Sequence, residues 1–127
     1  MDITPFANLR VILALRFFRV AFGVCAVLFA AGVMIILLAL FPAVTHEPFA
    51  SLHYNIHFGV DAVGAWWLLF VPSGIALVLT AGNALYAARV WQREQVIAYA
   101  FAVAAVLVNA CVLLHVIFIV LLNLASL

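Results

Sequence analysis

The chain has 127 residues, of which 72% are hydrophobic and 7% charged, and its formal net charge is +1. A soluble domain of this length carries about a quarter charged residues to clothe its core, so an ordinary soluble domain is excluded and lipid is left as the solvent for most of the surface. Five Arg and no Lys provide no basic stripe of the kind that nucleic acid requires, and no nucleic-acid partner is expected.

Residues 1–19 form a leading segment in which Thr4 and Pro5 suit an N-cap and a first helical position. Arg10, Arg16 and Arg19 stand among Leu and Phe. This amphipathic stretch is expected to lie at the membrane surface or to extend the first span, with its Arg side chains snorkelling to headgroups. A solvated anchor is the simpler reading of it than a dedicated lipid site.

The first span is placed at residues 20–41, a run without charge. At 1.5 Å per residue it reaches about 33 Å, enough for a hydrocarbon core of roughly 30 Å. It is longer than the core of a signal peptide and follows a segment carrying Asp2, so it is expected to stay as an anchor. The second span is placed at 66–88 and the third at 96–122, the last long enough to tilt. Backbone groups at that depth must bond internally, which leaves helices as the form. The expected fold is therefore an all-α integral membrane protein. One domain of three transmembrane helices carries an amphipathic N-terminal segment, a structured loop at 42–65 and a short turn at 89–95.

Orientation follows from the Arg residues. Three precede the first span, Arg89 and Arg93 lie between the second and third, and residues 42–65 have none. The positive-inside rule puts the amino terminus and the 89–95 turn in the cytoplasm and the 42–65 loop and the carboxyl terminus outside. Trp66 and Trp67 would mark the outer aromatic belt, and Tyr86, Trp91 and Tyr99 the inner one.

Pro72 is expected to kink the second span. Small residues (Ala81, Gly82, Ala84, Ala87 and Ala88 facing Ala98, Ala100, Ala102, Ala104 and Ala105) predict a tight hairpin of spans two and three. Asn109, near the middle of span three, and Asn83 read as interhelical glue. Cys25 and Cys111 lie in apolar runs and read as small hydrophobes rather than as a disulfide.

The segment 52–64 carries the chemistry. His53, His57 and Asp61 would stack on one face if it were helical, a set that could bind a transition metal. Gly59 and Gly64 argue against that helix and for a folded polar cap, in which His53, His57, the Asn55 amide and backbone N–H groups surround Asp61. His46 and Glu47 lie just upstream. His115 falls close to the same side of the membrane, and with a loop His it could form a bis-His haem site, though a hydrogen bond within the bundle is the simpler role. No nucleophile with a base and an orienting group can be assembled, and no phosphate-binding glycine pattern occurs, so neither catalysis nor a cofactor is expected.

His53, Tyr54, Asn55, Asp61, Gly64 and Pro72, in that order and spacing, resemble a membrane domain of unknown function found in immunity proteins against a sporulation-delaying toxin. Gly59 sits one place later than in that pattern, Ser51-Leu52 replaces its Ile-Pro, and Ala65 replaces a basic residue. The loop is also similar to that of short three-span bacterial proteins with a Leu-His-Tyr-Asn sequence. The resemblance spans roughly residues 20–88 and implies a protein of the bacterial cytoplasmic (inner) membrane without catalysis, with His53, Tyr54, Asn55, His57, Gly59, Asp61 and Gly64 as ligand or structural residues of the loop. The expected function is recognition, or an immunity-like role, toward a membrane protein or peptide. An accessory subunit of a larger complex and a His-based metal or haem site (His53, His57, Asp61 and His115) are the alternatives.

Overall fold

The computed structural model describes residues 5–44 and 49–125. Helix α1 runs Pro5–Ala14, α2 Arg16–Val44, α3 Val71–Val90 and α4 Gln95–Ala125, and a two-stranded antiparallel sheet, β1 (Phe49–Asn55) and β2 (Gly59–Ala65), lies between α2 and α3. Three stretches, Arg16–Leu40, Trp66–Val90 and Gln95–Ala125, are long and apolar enough to cross a membrane. The fold is thus mostly helical, but the expectation of an all-α chain is corrected at 49–65. That segment is not helical. It is a β-hairpin, and the helical stacking of His53, His57 and Asp61 does not occur. Of the other expectations for this loop, His46 and Glu47 lie outside the described residues, as does Thr4 at the start of the chain.

Helix α4 packs along both α2 and α3, so the bundle is centred on it. Two apolar clusters divide its length. At one end, which carries the Arg residues, Ile12, Phe18, Ala21, Ala87, Ala88, Ala98 and Ala102 are buried together. At the other, Ile36, Leu40, Leu69, Val116, Ile119 and Val120 bury Ala50 of β1. Between the two, Gly32 of α2 marks where three helices meet: a Cβ there would stand 3.8 Å from Leu113 Cδ1 and 3.9 Å from Ser73 Oγ.

The α3–α4 contact uses Ala87, Ala88, Ala98, Ala102 and Ala105, all buried, as small-residue packing requires. Gly82 is a correction. It faces away from the partner helix, with nothing within 4 Å of the place its Cβ would occupy. Pro72 is another. Trp66–Phe70 is a 3-10 helix and Pro72 falls in the first turn of α3, where its missing N–H costs nothing, so it starts the α-helix instead of kinking it. The Val71 N–H bonds back to the Leu68 carbonyl, closing the tighter turn.

At the Arg end, α1 breaks from α2 at Leu15 and packs on the end of α3, burying Ile12. Gln92 Nε2 donates to Asn8 Oδ1 at 3.4 Å across this junction. Trp91 and Tyr99 enclose Phe18: its ring stacks on Tyr99 at 5.1 Å and meets Trp91 edge-on at 5.4 Å.

Candidate functional site

The hairpin brings together most of the residues singled out in the sequence. Its turn is built by Asn55, whose Oδ1 accepts the His57 N–H at 2.9 Å, and by Gly59, whose φ of 77° lies in the left-handed region that glycine adopts without strain. Ile56 and Phe58 between them are each 82% exposed. The strands pair from Phe49↔Ala65 to Asn55↔Gly59, with irregularities on both sides of His53.

On the hairpin surface His53 Nδ1 lies 2.6 Å from Asp61 Oδ1, an N–H···carboxylate bond between side chains that are 61% and 37% exposed. Asp61 therefore meets one of the donors expected around it. Asn55 is committed to the turn, and His57 sits at the tip with its ring 6.5 Å from that of Phe58. Among the described residues no group of three or more His, Cys, Asp or Glu is gathered closely enough to hold a metal ion.

Gly64 lies within β2, where it leaves room for neighbouring side chains. A Cβ there would stand 2.6 Å from Leu52 Cδ1 and 3.0 Å from Leu68 Cδ1, so glycine lets these two leucines close over the bundle. Ala50, on the same strand as Leu52, is buried against α2 and α4.

The base of the hairpin is tied to α4 by a residue that sequence reasoning passed over. Asn123 Oδ1 accepts the Ser51 N–H and Asn123 Nδ2 donates to the Ser51 carbonyl, both at 2.8 Å. The carboxamide thus bonds β1 as a neighbouring strand would. A further bond from Nδ2 to the Ile119 carbonyl, 2.8 Å, fixes the side chain to its own helix. The only signal for this in the sequence is an amide placed beyond the end of the third apolar span.

Lower in the bundle Asn109 Nδ2 donates to Thr80 Oγ1 at 2.7 Å, and the Thr80 hydroxyl donates to the Ala76 carbonyl at 2.8 Å, so α3 and α4 share a polar rung. His115 makes no hydrogen bond with any described residue, contrary to the role expected of it. It lies in the wall of a cavity of about 270 Å³ under the hairpin, with Ile36, Leu52, Leu68, Pro72 and Ile119 among its other lining residues. No second His among the described residues lines this cavity, and His53 and His57 belong to the strand and tip above it. A bis-His haem arrangement therefore has no geometric support among the described residues. Cys25 and Cys111 are both free thiols.

No family model matches the chain, and neither a curated protein nor a solved structure is similar to it.

Proposed function

We propose that this chain is a three-span protein of a bacterial inner membrane, amino terminus in the cytoplasm, whose extracytoplasmic hairpin is a non-enzymatic recognition element for a peptide or membrane protein. The observation that carries the reading is the tip, where Ile56 and Phe58 stand almost fully exposed on an element held at its turn by Asn55 and Gly59 and at its base by Asn123. An apolar tip on a fixed scaffold suits a binding role: preorganisation lowers the ordering cost of association, and contiguous exposed apolar surface marks interaction sites. Phe49 and Val63 on the strands and Trp67 just beyond β2 are exposed as well. The orientation is supported by the Arg residues, all five of which lie at the end remote from the hairpin. The resemblance of the His53-Tyr54-Asn55…Asp61…Gly64 pattern to immunity membrane domains supports a toxin peptide as the partner.

Orientation is tested with single cysteines in a chain carrying Cys25→Ser and Cys111→Ser. Ile56→Cys should react with a membrane-impermeant thiol reagent in intact cells, and Gln92→Cys only after permeabilisation; the reverse pattern overturns the topology. Recognition is tested by placing a photo-crosslinking residue at position 58 in cells challenged with a sporulation-delaying toxin. Tolerance together with a discrete crosslinked adduct, both lost in Ile56→Ser and Phe58→Ser variants that remain inserted, is the expected result. Unchanged sensitivity and no adduct would reject recognition of that class of peptide.

A further inference from the structure

The cavity beneath the hairpin and the imidazole in its wall pose one question together. Asn109 and Asn123, on the same helix as His115, each bond to protein atoms, whereas His115 bonds to none of the described residues. His115 is exposed on the face of α4 that borders the cavity, and an intramembrane ionisable side chain normally has a partner or faces a site. His115 lies nineteen residues beyond Val96 on α4, about 28 Å along the helix, against a hydrocarbon core of roughly 30 Å. That height is the far hydrocarbon boundary, where the ester carbonyls of bilayer lipids lie above their acyl chains.

The void has the matching shape and chemistry. At about 270 Å³ it is larger than the roughly 150 Å³ apolar cavity that takes up benzene. Its wall is aliphatic apart from His115. Leu52 and Leu68 stand over it, held close by Gly64. An open apolar void forfeits dispersion contacts along its lining, and the molecules at hand to restore them are lipids.

We infer that this cavity binds one acyl chain of a bilayer phospholipid, whose ester carbonyl accepts a hydrogen bond from the His115 imidazole. The inference rests on the membrane-insertion part of the proposed function and not on any partner of the hairpin tip. Because the surrounding bilayer is as apolar as the pocket, chain burial alone gives little preference for the site. Selectivity comes from the carbonyl bond, and the occupied pocket supports the underside of β1 through Leu52.

The test is native mass spectrometry of the whole chain in mild detergent, supplied with palmitoyl-oleoyl phosphatidylglycerol or with its diether analogue, which lacks ester carbonyls. The parent should retain one diester molecule and bind the diether about tenfold more weakly, the value of one hydrogen bond in an apolar site. His115→Leu should bind both lipids equally. Val71→Trp, at a residue that lines the cavity and is partly exposed, should fill its mouth and bind neither. A parent indifferent to the ester, a His115→Leu chain that still discriminates, or preferential retention of a quinone would each overturn the inference. Carbonate extraction separates the two readings. A chain that stays in the membrane pellet but shows no ester preference defeats only the lipid site, whereas one released from the pellet defeats insertion and the lipid site together.

Discussion

The two ends of the bundle are built from different materials. At the Arg end alanines from α3 and α4 (Ala87, Ala88, Ala98 and Ala102) are wholly buried, and Phe18, also wholly buried, is enclosed by Tyr99 and Trp91. At the hairpin end the buried residues are Ile, Leu and Val with a single Ala from β1, a cavity remains open, and the hairpin is tied down by the carboxamide of Asn123. Small side chains let helices approach until little but backbone separates them. At the hairpin end larger branched side chains pack against a strand, with the cavity beside them. The close-packed end suits an anchor. The other exposes both a tip and a cavity to its surroundings, which is where a binding role is placed.

The largest expected effect comes from spoiling the close-packed end. Ala102→Leu forces a branched side chain into a contact with no space and should destabilise the bundle by roughly 1–3 kcal/mol in a detergent melt. Gly82→Leu, one helix over but facing open space, should stay within about 0.5 kcal/mol of the parent. Equal losses in the two variants would mean that α3 presents a different face to α4.

Next in size is the clamp. Asn123→Leu removes both bonds to Ser51 and leaves a partly buried N–H and C=O without partners, at a cost of roughly 1–2 kcal/mol. The loss should be local. Hydrogen exchange at the Ser51 amide should accelerate while α4 below Ile119 stays protected, and exchange that rises evenly through the bundle would show that the hairpin is not a separately tied unit.

The contrast between the ends also explains what could be read from the sequence. The three apolar stretches were legible because each is long and apolar enough to match a hydrocarbon core, a property that any 20-residue window reveals. The alanines of α3 and α4 were legible as an interface, but not which of them point inward, since Gly82 and Ala102 are equally small. The hairpin was hidden by its own irregularity. Breaks in pairing on either side of His53 spoil the strict alternation that marks a strand, and the turn spreads its Asn and Gly over five residues where an adjacent Asn-Gly pair would have announced it. Pro72 read as a kink because apolarity runs unbroken from Trp66, and composition does not distinguish a 3-10 turn from the helix that follows it. Asn123 lay beyond the assigned end of span three, with nothing local to show that β1 would come to rest beside it.

A smaller effect is expected midway between the two ends. Asn109→Leu breaks the rung to Thr80 but leaves an apolar contact in its place, so the cost should be about 0.6 kcal/mol, the average for hydrogen bonds between membrane helices. Thr80→Val should cost about the same, and the double variant no more than either single one. Additive losses would show that the two side chains act independently.

The smallest effect is predicted for the pair that looks most prominent in the sequence. The His53–Asp61 bond is short, but both side chains are well exposed, and an exposed pair of this kind contributes a few tenths of a kcal/mol up to about 1. The hairpin has other supports: the ladder, the Asn55–His57 turn, Gly59 in its left-handed conformation, and Asn123 beneath Ser51. If those supports hold the fold, Asp61→Asn should change the melt by no more than a few tenths of a kcal/mol and leave proteolysis between Phe49 and Ala65 at the parental rate. Asn123→Leu should raise that rate severalfold. An Asp61→Asn chain that is cleaved as fast as the Asn123→Leu chain would reverse the ranking, making the surface pair, and not the buried carboxamide, the element that orders the hairpin.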